Sequence, residues 1–408
     1  MTALGLGPQV RPGVGFEQPK WSKGAFLVGG RVENLAGVLP GRDRALPAVA
    51  LMAHYDSVPG SPGAADAAAA VAAALETVRA IRARGTPARD VIVLLTDGEE
   101  AGLLGARAFF ARDPLAARIG FVFNMEARGA AGRVQMFQTG EGNGAVIDLL
   151  RRTAPDPRAS SLTGFIYAHM PNDTDFTVSR ESGVPGLNYA FLGHQFEYHS
   201  PTSTPATLDP GTLQDMGQQV LATAQAIAFS PALPPRKADV VYSQIPGGLT
   251  LAYPPAVGWL ILAAAAGLIL IGVVRARRVE AFPWTDVARG AGASLFAVLG
   301  GCAVLHFARL ATGSAFGFLE QRFLLAQADR WEVAVMLIAL GFLIYASLQT
   351  TALSAEPPAP TDAARGILAD ALVQDARARS RDIRLPPSLA ARQACVLLQA
   401  ANQLDPTD

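Results

Sequence analysis

Five short stretches of this chain carry the kinds of side chain that hold divalent metal ions. They are Ala53-His54-Tyr55-Asp56-Ser57, Gly63-Ala64-Ala65-Asp66, Asp97-Gly98-Glu99-Glu100-Ala101-Gly102, Asn124-Met125-Glu126-Ala127-Arg128-Gly129 and Tyr198-His199-Ser200. Imidazole and carboxylate ligands without thiolate suit a catalytic zinc or a similar ion, which needs an open position for water. Two such ions, ~3.5 to 4 Å apart, need a bridging carboxylate and can clamp both the attacking and the leaving oxygen. Five ligands, with one of them bridging, satisfy that requirement: His54, Asp66, Glu100, Glu126 and His199. Glu99 and Glu100 are adjacent, and neighbours at a strand end point different ways, so one can bind metal while the other faces the water as a general base. Asp56, two residues after His54, is placed to accept the second ring N–H of that imidazole and fix its tautomer.

Taken singly, each stretch has an ordinary explanation. A His-x-Asp after a strand is more often a turn, Glu-Glu at a helix start suits the helix dipole, and Asp66 is a natural N-cap. Their co-occurrence carries the weight, because the chain has only five histidines and His199 completes the set. The elements that must position them alternate in type from about Asn34 to Phe229. Expected strands are Ala48 to Met52, Val91 to Leu95, Phe121 to Asn124 and Leu187 to Phe191. Expected helices are Asp66 to Arg84 with Gly85 as its C-cap, Glu100 to Ala111, Ala145 to Thr153 and Leu213 to Ala228. This is the pattern of an α/β domain with a mixed, mostly parallel sheet flanked by helices, in which ligands collect at the carboxyl ends of the strands.

The rest of the chain narrows the function classes. With 408 residues, half of them hydrophobic, there is material for one large domain and an accessory region. Lys plus Arg (34) equals Asp plus Glu (34), so no long-range field singles out nucleic acid as a partner. Two cysteines, Cys302 and Cys395, make neither a disulfide framework nor a thiolate metal site. A Pro-rich break at Ser230 to Arg236 is followed by Pro255 to Val274, an uncharged run long enough to cross a hydrocarbon core. Gly290 to Phe307 and the shorter Val333 to Leu348 are further spans. Arg275, Arg277 and Arg278 put the following loop in the cytoplasm and the preceding domain outside. Such a domain needs an export signal, and Met1 to Gly30 has none, so an anchor helix is expected to be missing from this start. The expected organisation is 1–31 as an N-terminal segment, 32–229 as the catalytic domain, 230–251 as a linker, 252–350 as a membrane region and 351–408 as a polar tail.

These motifs resemble the M28 metallopeptidases, within them the branch with membrane helices after the catalytic domain that includes endoplasmic-reticulum and vacuolar members. The resemblance covers roughly Val32 to Phe229. It rests on His54-Tyr55-Asp56-Ser57-Val58-Pro59, Pro62-Gly63-Ala64-Ala65-Asp66, Asp97 to Ala106, Asn124 to Gly129, Asn172-Asp173-Thr174-Asp175-Phe176 and Tyr198-His199. It implies a zinc-exopeptidase fold and two zinc ions bridged by Asp66, one completed by His54 and Glu126 and the other by Glu100 and His199. Glu99 would be the general base and acid, with Asp56 orienting His54. Glu126 stands where most soluble members have Asp, as in the membrane branch. The chain departs from the family at Ala67, where Asp or Asn is usual, and at Ser203, where Asp is usual.

The implied reaction is hydrolysis of a peptide substrate at its N-terminus, by a multi-pass membrane protein with its catalytic domain on the extracytoplasmic side. Two other readings keep the fold: a non-catalytic ectodomain, and a single-zinc acyltransferase of glutaminyl-cyclase type. Asp173 and Asp175 are read either as pocket or ligand-supporting residues or as an Asx turn. Arg128 pairs with a neighbouring acid or binds a substrate carboxylate, and His169 and His194 are read as surface residues. Oligomeric state is not legible.

Overall fold

The computed structural model describes residues 1–19, 22, 24–170, 172–245, 249–279, 284–311, 328–354, 362–380, 392–393 and 395–400. Its main element is a seven-stranded sheet in the order β1-β2-β4-β3-β5-β7-β6. The strands are β1 (Gln9–Glu17), β2 (Val28–Leu39), β3 (Ala48–His54), β4 (Val91–Thr96), β5 (Ile119–Ala127), β6 (Gln135–Thr139) and β7 (Gly186–Phe191). The central four, β4-β3-β5-β7, are parallel, while β1, β2 and β6 run antiparallel at the two edges.

The sequence of the central strands explains their place. Every residue of β3 and β4 is buried, and their near-continuous Ala, Val, Leu, Ile and Met are what a strand covered on both faces requires. The layers covering them are α1 (Ala70–Arg84), α3 (Gly144–Thr153) and α6 (Pro210–Ala228) in one hydrophobic cluster, and α2 (Leu104–Arg112) and α5 (Asp175–Glu181) in the others. Gly85 ends α1 at a φ of 129°, a conformation open to glycine, as its expected C-cap role requires. Leu51, Phe121 and Phe123 are wholly buried at the centre of the first cluster.

Several elements lie beyond what the sequence announced. β1 and β2 form a long antiparallel pair that carries the sheet back through residues 9–17, within the stretch expected to be a separate N-terminal segment. Their glycines and exposed positions give no apolar run. The expected linker 230–251 contains a strand, β8 (Val241–Gln244), paired with β9 (Thr250–Tyr253). A short helix, α4 (Ser161–Ala168), precedes α5 and packs on β6.

After β9 come α7 (Pro255–Val279), α8 (Trp284–Ala311), α9 (Ala328–Ser354) and α10 (Asp362–Ser380). Among the described residues, Pro255–Arg278 and Trp284–Ala308 are long and apolar enough to cross a membrane, with mean hydropathy 2.6 and 1.8. The third expected span, Val333 to Leu348, lies on α9, which is not one of those two. The chain divides into two compact units, Met1–Ala281 with Ser314–Trp331, and Phe282–Gly313 with Glu332–Asp408. Within the second, Phe296 of α8 and Phe342 of α9 pack ring to ring at 5.8 Å.

Because β3 ends in His54, its packing sets the floor of the site. Leu51→Ala should lower unfolding free energy by roughly 2–5 kcal/mol, the range for emptying a buried leucine site. A urea midpoint unchanged from the parent would show that this strand is not part of the cooperative core.

Candidate metal centre

The carboxyl ends of the parallel strands deliver most of the chemistry. His54 is the last residue of β3, Glu126 the penultimate residue of β5, and Glu99 and Glu100 sit in the turn that follows β4. Asp66 comes from a wide turn, Ala64–Ala69, that leads into α1. Its own φ of −109° and ψ of 96° are not helical, and the Asp66–Ala67 peptide is cis, so Asp66 is not the helix N-cap its sequence position suggested. Gly63 enters this turn at a φ of 67°, and a Cβ there would lie 2.8 Å from Ser57 and 2.9 Å from the Asp66 carbonyl, so only glycine fits. His199 arrives on the loop after β7 with a φ of 51°, a strained backbone for a non-glycine residue of the kind that gathers at functional sites.

The five expected ligands meet, and they meet in a particular order. Asp66 Oδ1 lies 3.0 Å from His54 Nε2, and the same nitrogen lies 3.5 Å from Glu126 Oε2. Asp66 Oδ2 lies 3.2 Å from His199 Nε2, which in turn is 2.9 Å from Glu100 Oε1. Each Asp66 oxygen thus has a histidine beside it, and the same nitrogen of each histidine has a second acid nearby, Glu126 for His54 and Glu100 for His199. Glu100 Oε1 is buried beside His199 Nε2, so an oxygen and a nitrogen donor atom face one another here. The donor set, nitrogen and oxygen only, fits a zinc-type ion.

Charge imbalance in this cluster is large. Asp56, Asp66, Glu99, Glu100, Glu126 and Asp175 supply six carboxylates against two imidazoles. Burial raises the Glu99 carboxyl well above its usual range, with Glu126, Asp175 and Glu100 adding repulsion against the pull of His54. Burial likewise raises Glu100, with Asp66 adding to it and His199 opposing. Asp175, also desolvated and facing Glu126, is raised to about 7 even though Thr96 hydrogen-bonds it. Asp66 behaves oppositely: burial is overridden by His199 and His54, which hold it down to about 2. Burial works against the charged rings of both histidines, yet Asp56, Asp66 and Glu126 raise His54 well above its ordinary value, and Asp66 and Glu100 raise His199 to about 9.

Asp56 acts differently from the simple expectation. The ring N–H at His54 Nδ1 is 2.9 Å from the Asp56 backbone carbonyl, with the carboxylate at 3.5 Å. The Asp56 carboxylate instead accepts the backbone N–H of Glu99 at Oδ1 and of Glu100 at Oδ2, both at 3.1 Å. One residue thereby fixes both the imidazole and the two-glutamate turn. Glu126 has a support the sequence did not reveal: the Asn124 side chain donates to Glu126 Oε1 and to Asn188 Oδ1, and Asn188 donates on to Gln138 and Thr174. The Asn-x-Glu spacing along a strand, which places both side chains on one face, was the available signal.

A cleft of about 560 Å³ opens over the cluster. Leu103, Phe137, Ile166, Met170 and Leu192 give it apolar walls, and Glu17 and Asp173 add acids. Arg128 lines the cleft and stands 5.7 Å over the ring of Tyr198, itself stacked on His199 at 3.7 Å. Asp173 accepts a hydrogen bond from Thr177, and Asp175 is wholly buried. His169 bonds the Phe165 carbonyl of the helix it follows, and His194 lies outside the cluster on the same loop as His199.

Residues 34–224 match the model for Peptidase family M28. Endoplasmic reticulum metallopeptidase 1 of Mus musculus is 31% identical over 262 residues, covering 61% of this chain and 29% of that protein. Vacuolar membrane protease of Candida albicans (strain SC5314 / ATCC MYA-2876) is 34% identical over 183 residues, covering 45% of this chain and 22% of that one. The chain therefore spans less than a third of the length of these relatives. Among solved structures, the aminopeptidase from Aneurinibacillus sp. strain AM-1 superposes with a TM-score of 0.41 at 18% identity, over 52% of each chain.

Removing the Asp56 carboxylate should free the two N–H groups it holds. A charged hydrogen bond of this kind contributes ~1.5–3 kcal/mol, so Asp56→Ala should speed amide exchange at Glu99 and Glu100 by roughly 10- to 100-fold. Exchange at the parent rate would mean that the turn is held by something else.

Proposed function

We propose that this chain, which carries a Peptidase family M28 domain over residues 34–224, is an aminopeptidase that holds two zinc ions in this cluster. The observation that carries the reading is the division of Asp66: one oxygen faces His54, which also contacts Glu126, and the other faces His199, which also contacts Glu100. Asp66 would bridge the pair, His54 and Glu126 would complete one site, and Glu100 and His199 the other. When bound, such ions polarise a carbonyl oxygen and lower the pKa of water.

The chain's own residues supply the rest. Glu99 stands beside Glu100 but in none of the close contacts that surround Asp66, and its burial among acids suits it to take up a proton and release it again. It would accept the proton of the attacking water and deliver it to the leaving amine. Asp56 keeps the Glu99–Glu100 turn in register with His54 during that transfer. The cleft's apolar walls accommodate an apolar side chain, and Asp173 in its lining favours a substrate with a free, cationic amino terminus. We extend the expected 32–229 domain back through β1 (Gln9–Glu17), and place after it α7 and α8 as membrane spans and a polar tail at 351–408. Arg275, Arg277 and Arg278 at the end of α7 support an extracytoplasmic side for the peptidase domain in this reading.

The reading is tested by Glu99→Gln in the purified full-length protein, with aminoacyl-nitroanilides as substrates. Turnover should fall by at least ~10²-fold, the scale of general acid–base catalysis, with bound zinc unchanged. Normal turnover would remove Glu99 from the reaction; loss of zinc along with turnover would make it a ligand instead.

A further inference from the structure

The edge of the catalytic domain beyond β6 continues by single bridges. Met136 of β6 bridges Ala159, the next residue Ser160 bridges Ser243 of β8, and β8 pairs with β9. β9 is therefore the outermost strand on this side, and Pro255, two residues after its end, begins α7. The same edge is apolar and uncovered. On α4, Leu162, Phe165 and Ile166 are 64%, 63% and 52% exposed, at spacings that share one helical face. On and beside β9, Leu249 and Leu251 are 55% and 43% exposed. Five large apolar side chains at one edge exceed the scattered exposure normal for a soluble surface.

Arginines accompany them. Arg151 and Arg152, in the last turn of α3, are exposed and share a surface recess of about 300 Å³ with Asp148, Pro157, Leu249 and Thr250. Apolar side chains flanked by arginine, at the point where the chain enters a 24-residue apolar helix, match a bilayer interface, where the former reach acyl chains and the latter lipid phosphates.

We infer that this edge, α4 with the β8–β9 hairpin and the end of α3, lies in the surface of a lipid bilayer and holds the catalytic cleft open toward it. Ile166 belongs to both the exposed ridge and the cleft wall, and Thr163, Tyr167 and Met170 of the same segment line the cleft. The cleft mouth on that side then opens at the lipid surface, and its substrates are peptides whose amino termini lie at or near the membrane. This inference rests on α7 being a membrane span.

The test uses the full chain in nanodiscs of phosphatidylcholine and phosphatidylglycerol, with Cys302→Ser and Cys395→Ser as background. Single cysteines replace Phe165, Leu251, Leu268 on α7 and Val10, and each carries an environment-sensitive fluorophore. Val10 is 54% exposed on β1, six strand spacings or roughly 29 Å from β6. Labels at 165, 251 and 268 should emit to the blue and be quenched by nitroxide-bearing lipids, while the label at 10 should not. Charge reversal at Arg151 and Arg152 should weaken quenching at 251 in anionic discs. If 268 is quenched and 165 and 251 are in water, the inference falls while the span stands. Should 268 also be in water, span and inference fall together. Labels at 165 and 251 that are shielded but not quenched by lipid would mean a protein, such as a second copy, covers the edge, and the inference again fails.

Discussion

Six carboxylates held in one water-poor site repel one another, and the arrangement around Asp66 is what makes that crowding tolerable. Burial penalises each charge, and the penalty is offset only where a cation or a hydrogen-bond donor faces the acid. Asp66 has a histidine at each oxygen and stays strongly acidic, whereas Glu99, Glu100 and Asp175 have too little compensation and are pushed upward. A site that leaves negative charge over in this way is built to take up positive charge, and its nitrogen and oxygen donors select the hard to borderline divalent ions.

The fold serves that site by rigidity. Three of the donors leave the ends of β3, β4 and β5, strands buried on both faces and tied to one another in register. The remaining two come from loops, and each is constrained: Asp66 by a turn that admits only glycine at position 63, His199 by its stack on Tyr198. Backbone hydrogen bonds accepted by Asp56 and a side-chain hydrogen bond donated by Asn124 then fix the glutamates. Second-layer contacts of this type typically change metal affinity or activity by ~10- to 100-fold when lost.

Much of the centre was legible in the sequence because its residues follow apolar runs directly, and an apolar run that ends in His or Glu marks a strand tip. His54, Glu100 and Glu126 were readable for that reason. His199 follows no apolar run and was readable only as the histidine that completes the set, a choice the motif resemblance supported. The role of Asp56 was half legible: its nearness to His54 could be read from spacing, but its grip on the Glu99–Glu100 turn spans 43 positions and has no local signal. The edge elements escaped for a different reason. β1 and β2 are rich in glycine and alternate in exposure, and β8, β9 and α4 are too short for a periodic pattern to stand out. Those same short elements form the apolar edge that leads into α7, so the part least visible in sequence is the part that joins the seven-stranded sheet domain to that helix.

The most direct measure of the account is the number of divalent ions per chain, determined by elemental analysis of the purified full-length protein before and after Asp66→Ala. Two equivalents of zinc in the parent and fewer than one in the variant are what a shared carboxylate requires. One equivalent or none in the parent, or two retained without Asp66, would contradict it.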